Sequence, residues 1–96
     1  MAVQPQAPFA GANALIYGAA KGIGRAVALE FARRGAKVAV ADIDEAAASD
    51  TAAAIVATGG EAIALVANVL SDESVRAAAD AAEAAFGAID IVMNNV

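Results

Sequence analysis

Three glycines stand between an apolar segment and a segment with helical periodicity. The apolar segment is Ala14-Leu15-Ile16-Tyr17, and the glycine run that follows it is Gly18-Ala19-Ala20-Lys21-Gly22-Ile23-Gly24. Glycines at a strand-to-helix junction let the backbone turn tightly and bring its N–H groups against a phosphate at the helix N-terminus. The spacing therefore predicts a phosphate-binding turn.

An acidic residue ends the next apolar run. Residues 38–41 predict a second buried strand, and Asp42 follows directly. In a dinucleotide-binding unit, an acid about 20 residues beyond the glycine turn accepts hydrogen bonds from the adenosine ribose hydroxyls. The turn and the acid together predict a nucleotide cofactor.

The composition of the chain further limits the kinds of partner and chemistry that we expect. The chain has 96 residues and a net charge of −5, which argues against nucleic acid and anionic membrane surfaces as partners. It has no cysteine and no histidine, so disulfide chemistry and the commonest metal ligand and general base are excluded. No basic residue precedes an apolar run near the N-terminus, so we expect a flexible leader over residues 1–12 rather than a signal peptide, and a cytoplasmic location.

The elements that must position the turn and the acid alternate between strand and helix. Strands are predicted over about 13–17, 37–41, 63–66 and 89–93, and helices over about 22–34, 44–58 and 71–86. This pattern predicts an α/β fold with a parallel sheet in the order 3-2-1-4, the N-terminal half of a doubly wound Rossmann-type fold. Residues 13–96 would form a partial NAD(P)-binding domain.

Two apolar stripes are predicted to face the sheet. In the first helix Ile23, Val27 and Phe31 form one stripe, and Ile23 is expected to pack under the turn while its backbone faces the cofactor. The third helix is expected to turn inward a stripe that begins at Val75 and ends at Phe86.

The chain resembles the short-chain dehydrogenase/reductase family from about Asn13 to Val96. The spacing Gly18-x-x-x-Gly22-x-Gly24 is that family's pattern and differs from the G-x-G-x-x-G of most other Rossmann enzymes. Three further groups fall in register with the family's ribose acid, its adenine-contacting Asp-Val and its Asn-Asn-Ala-Gly, and they are Asp42, Asn68-Val69 and Asn94-Asn95-Val96. Asn68 stands where the family has aspartate, and Val96 where it has alanine.

The resemblance implies an NAD(P)-dependent oxidoreductase that transfers hydride between nicotinamide and an alcohol or carbonyl carbon. The cofactor-binding residues that it implies are Gly18, Ala20, Lys21, Gly22, Ile23, Gly24, Asp42, Ile43, Asn68, Val69, Asn95 and Val96. The family's catalytic serine and Tyr-x-x-x-Lys helix have no counterpart in residues 1–96, so we expect these residues alone to turn over no substrate. The alternative is a noncatalytic dinucleotide-binding or protein-interaction module that self-associates through the edge of the fourth strand.

One apparent catalytic pair is a coincidence of spacing. Tyr17 and Lys21 match Tyr-x-x-x-Lys, but that motif brings two side chains to one face only on a helix. Here Tyr17 ends a predicted strand and Lys21 lies in the glycine turn. We expect their side chains not to converge.

The expected cofactor is NAD rather than NADP. A carboxylate at Asp42 accepts hydrogen bonds from both ribose hydroxyls of NAD and repels the 2′-phosphate of NADP. Ile43 follows, at a position where an arginine would favour that phosphate. Lys21 favours NADP, and its side chain either contacts phosphate or is an ordinary exposed lysine.

Overall fold

A computed structural model describes residues 8–95, so Val96 and residues 1–7 of the predicted leader lie outside the described residues. Its elements follow in the order β1 (Asn13–Tyr17), α1 (Gly22–Arg33), β2 (Lys37–Asp42), α2 (Glu45–Ala57), β3 (Ala62–Val66), α3 (Asp72–Phe86) and β4 (Ile91–Asn94). The four strands are parallel and lie in the order β3-β2-β1-β4, which confirms the predicted topology.

The sheet is covered by helices on both faces. One core combines Ile16, Val38 and Val40 with small side chains of α1 and α2. On the opposite face, Leu15 and Tyr17 pack with Ala78 and Ala82 of α3. Residues of β1 and β2 are thus buried on both sides, which explains why these strands are continuous apolar runs.

The structure contradicts the predicted burial of Ile23. Its side chain is 75% exposed, whereas the neighbouring Gly24 and Ala28 are the buried residues of α1. Val27 and Phe31 do pack against the core, so the prediction is wrong only at the first turn of the helix. There α1 approaches the chain too closely for a side chain: a Cβ on Gly24 would lie 2.0 Å from the Gly18 carbonyl oxygen. That contact fixes the rotation of the helix and directs Ile23 outward.

Side-chain caps set where the other two helices begin. Asp44 accepts a hydrogen bond from the Ala47 N–H at 3.0 Å, and the Ser71 hydroxyl accepts one from the Ser74 N–H at 3.1 Å. Both caps agree with the predicted helix starts.

At the N-terminal end of the described chain, Phe9 packs edge-on against Phe31, with ring centroids 5.2 Å apart. Phe9 is therefore part of the packed structure.

Candidate functional site

Because all four strands are parallel, their carboxyl ends lie at one edge of the sheet. The glycine turn follows β1, Asp42 ends β2, Asn68 and Val69 follow β3, and Asn95 follows β4. An open cavity of about 440 Å³ lies at this edge. It is lined by Gly18, Asp42, Ile43, Ala67, Asn68, Val69, Leu70 and Asn95. Six of the twelve predicted cofactor-binding residues thus line one cavity, at the position where the strand order reverses. Five others do not line it and belong to the adjoining glycine turn and first turn of α1: Ala20, Lys21, Gly22, Ile23 and Gly24.

The glycine turn is held by Asn95. The Asn95 N–H donates to the Tyr17 carbonyl at 2.9 Å, and its side-chain amide donates to the Gly18 carbonyl at 3.3 Å. Gly18 has φ +73°, and a Cβ there would lie 1.7 Å from the Asn95 carbonyl oxygen. Only glycine fits this position, both for its backbone conformation and for the closeness of β4.

The first turn of α1 presents open N–H groups. Within residues 8–95, the N–H groups of Gly22, Ile23 and Gly24 have no protein acceptor, and the Lys21 side chain gives no cap. No acidic side chain occupies this turn. A helix N-terminus with free donors and a glycine approach is suited to bind an anion such as a phosphate.

Asp42 joins the glycine turn to the end of β2. One carboxylate oxygen accepts from the Ala20 N–H at 3.2 Å, and the other accepts from the Asp44 N–H at 3.0 Å. These bonds fix the carboxylate at the rim of the cavity. Each oxygen keeps a further lone pair, so the carboxylate is able to accept from two hydroxyl groups.

Lys21 is paired with Asp44. Its ammonium lies 2.9 Å from the Asp44 carboxylate, and its side chain is 71% exposed. The hydrogen bond that Lys21 donates to Asp44 raises the pKa of Lys21 and lowers the pKa of Asp44. Both groups are therefore charged at neutral pH, and Lys21 directs its charge toward the start of α2.

The Tyr17 hydroxyl lies on the other side of the sheet. It donates to the Val75 carbonyl at 2.7 Å, and burial raises its pKa. Because Lys21 turns toward Asp44, the two side chains do not converge. As expected, the Tyr-x-x-x-Lys match does not bring the two side chains together.

Asn68 shapes the wall of the cavity that follows β3. Its side-chain oxygen accepts from the Leu70 N–H at 2.9 Å, and its own N–H donates to the Ser74 hydroxyl at 2.8 Å. Val69 packs beneath this turn, while Leu70 and Ile43 are exposed. The side-chain oxygen of Asn68 retains a lone pair, whereas its contact with adenine stays a prediction.

The sequence analysis missed three polar residues that support this edge. Ser74 holds the backbone of Asn68 from the first turn of α3. Thr51 and Arg25 form hydrogen bonds behind the glycine turn. Ser74 acts on a residue six positions away, whereas the hydrogen bonds of Thr51 and Arg25 span 26 and 31 positions. A threonine within an alanine-rich helix is the one signal that the sequence offers for the distant contacts.

This arrangement defines a class of protein: a Rossmann-type nucleotide-binding α/β unit with a glycine turn and an acid at the end of β2. The family model described as short chain dehydrogenase matches residues 12–96. The chain belongs to the short-chain dehydrogenase family, whose members bind NAD or NADP.

Individual relatives agree with this assignment. The chain is 46% identical over 92 residues to the "Probable oxidoreductase EphD" of Mycobacterium tuberculosis, covering 96% of this chain and 16% of that protein. It is 40% identical over 85 residues to the 7alpha-hydroxysteroid dehydrogenase of Escherichia coli K12, covering 88% of this chain and 33% of that enzyme. The chain thus spans a third or less of the length of these relatives.

A solved structure shows the same fold. The crystal structure of hydroxysteroid dehydrogenase from Escherichia coli superimposes with a TM-score of 0.89 at 39% identity. The match covers 91% of this chain and 37% of that one.

In the part of our chain that the structure describes, no helix combines the length and apolar character needed to cross a bilayer.

Proposed function

We propose that this chain is the dinucleotide-binding part of an oxidoreductase that transfers hydride between a nicotinamide cofactor and an alcohol or carbonyl carbon. The observation that carries the proposal is the hydrogen bond between the Ala20 N–H and Asp42, which joins the phosphate-binding turn to the ribose acid. When bound, the nicotinamide ring supplies the hydride acceptor or donor. The residues of this chain bind and orient the dinucleotide.

The pyrophosphate is expected to bind at the glycine turn. The free N–H groups at the start of α1 are donors, and the missing side chains at Gly18 and Gly24 allow close approach of the backbone. The adenine is expected between the exposed apolar side chains of Ile43 and Leu70, beside Asn68. Val69 would contribute its backbone at the same wall.

We further propose that the cofactor is NAD rather than NADP. The Asp42 carboxylate is held by two backbone N–H groups at the cavity rim, where a ribose 2′-phosphate would meet a like charge. Lys21 is the cation of the glycine turn, and its charge is engaged by Asp44. This pairing supports the preference for NAD.

The test is a comparison of NAD+ and NADP+ binding by isothermal titration calorimetry. We expect tighter binding of NAD+, and Asp42→Asn should reduce that preference at least ~10-fold, because a hydrogen bond to a charged group contributes about 1.5–3 kcal/mol. Asp80→Asn removes the same charge from an exposed site on α3 and should leave the preference unchanged. An unchanged ratio in the Asp42 variant would refute the assignment of NAD, and no binding of either dinucleotide would refute the proposed function.

A further inference from the structure

Thr51 is the one polar residue that is completely buried among residues 8–95. It lies in α2 beside Ala48, Ala52 and Ile55, which are also buried. Burying a hydroxyl is unfavourable unless it forms hydrogen bonds. Packing in an apolar core therefore does not by itself explain why a threonine stands at this position.

Both hydrogen-bonding roles of this hydroxyl are used. Its oxygen accepts from the Arg25 guanidinium at 2.6 Å, and it donates to the Ala20 carbonyl at 3.0 Å. Arginine has donors only, so the hydroxyl proton must be directed at Ala20. Arg25 also reaches Asp50 at 3.4 Å, which holds the guanidinium of α1 against α2. The Thr51 hydroxyl thus links α1, α2 and the glycine turn.

Ala20 is consequently held at both of its backbone groups. Its N–H donates to Asp42, and its carbonyl accepts from Thr51. Because a peptide unit is planar and trans, directing the Ala20 carbonyl toward Thr51 directs the Lys21 N–H the opposite way. The bond therefore sets the orientation of the peptide that leads into the free N–H groups of α1.

We infer that Thr51 is a positioning residue for dinucleotide binding, acting through the Ala20 carbonyl, with Arg25 orienting its hydroxyl. The inference rests on the proposed function for the identity of the ligand. Without the hydroxyl, the turn would populate other peptide orientations, and the dinucleotide would bind only the competent fraction. The apparent affinity for the dinucleotide is then the intrinsic affinity multiplied by that fraction.

The experiment compares Thr51→Val with Thr51→Ser and Thr58→Val in the chain of residues 1–96. Thr58 provides a matched control, because among residues 8–95 its hydroxyl bonds only to the nearby Ile55 carbonyl, at 2.9 Å, at the far end of α2. Titration with NAD+ should show about 5-fold weaker binding for Thr51→Val, the change expected from one typical hydrogen bond. Thr51→Ser should restore affinity, and Thr58→Val should leave it unchanged.

Amide hydrogen exchange, measured by NMR without ligand, provides a readout that is independent of dinucleotide binding. The Ala20 N–H should exchange faster in Thr51→Val and at the original rate in Thr58→Val. If the original chain fails to bind NAD+, the proposed function fails, while the exchange rate of the Ala20 N–H, which donates to Asp42, still tests whether Thr51 holds the turn.

Two results would overturn the inference. One is unchanged affinity and unchanged Ala20 exchange in Thr51→Val; the other is an equal loss of affinity in Thr58→Val, which would indicate a general effect of helix stability. If Thr51→Val does not fold, Thr51→Ala replaces it, because alanine has the higher helix propensity. Failure of both to fold would also overturn the positioning role, since the hydroxyl would then be required for folding itself.

Discussion

Replacing Gly18 with alanine tests the close contact between the glycine turn and β4. A Cβ there would lie 1.7 Å from the Asn95 carbonyl oxygen, well inside van der Waals contact. Because the obstacle is backbone, relief requires the end of β4 to move away from β1. That movement breaks the hydrogen bonds from Asn95 to the Tyr17 and Gly18 carbonyls.

The expected cost follows from these contacts. The left-handed backbone at φ +73° costs a non-glycine residue about 1–2 kcal/mol. The two hydrogen bonds contribute about 1 kcal/mol each. Gly18→Ala should therefore lower the free energy of unfolding by about 3–4 kcal/mol, a large part of the roughly 5–15 kcal/mol that is typical of a domain.

Gly59→Ala is the matched control for this substitution. Gly59 also has a positive φ, +93°, but no atom lies within 4 Å of its ideal Cβ. It should lose only the conformational contribution of about 1–2 kcal/mol. Urea unfolding should place the midpoint of Gly18→Ala about 1–2 M below that of Gly59→Ala, given a denaturant slope of about 1–2 kcal/mol/M. Equal midpoints would refute the proposed steric role of the Asn95 carbonyl.

Two further predictions concern stability. Arg33 and Arg34 lower the pKa of Glu30 from 4.5 to about 2, so its contribution is present above pH 4.5 and is lost as the pH falls toward 2. In Glu30→Gln, the free energy of unfolding should depend less on pH over that interval. Glu83→Gln, at an exposed position on α3, should leave this pH dependence unchanged. Asn13 donates from its side chain to the Phe86 and Ala88 carbonyls at 3.0 and 2.8 Å. Asn13→Ala should lower the free energy of unfolding, measured in urea, by about 1–3 kcal/mol. An equal loss in Asn94→Ala, at an exposed position, would contradict the role of these two hydrogen bonds.

Features determined by local sequence were predicted well. The alternation of apolar runs with helical periodicity predicts the element order, and right-handed crossovers predict the strand order. The sequence predicts helix starts at about 44 and 71, where Asp44 and Ser71 cap the helices, because a cap acts on backbone groups only three residues away. The glycine turn and Asp42 are also predictable from local sequence, because each directly follows an apolar run that predicts a strand.

Features that depend on distant contacts were not predicted. Ile23 was assigned to the core because it fits an apolar repeat, but the contact between Gly24 and the Gly18 carbonyl determines how α1 is rotated. Thr51 and Asn13 form their important hydrogen bonds with residues 31 and 73–75 positions away. No periodicity in a single sequence specifies such pairs.

The charges at the carboxyl edge follow from the same distant contacts. Lys21 and Asp42 are both near the turn, and sequence alone leaves open whether the lysine attracts a phosphate. The structure pairs Lys21 with Asp44, so a 2′-phosphate would have to compete with an existing carboxylate for that cation. The Asp42 carboxylate bonds to backbone N–H groups instead and keeps its full negative charge, because these donors are neutral. The unequal pairing of the two acids is therefore the physical basis of the proposed preference for NAD.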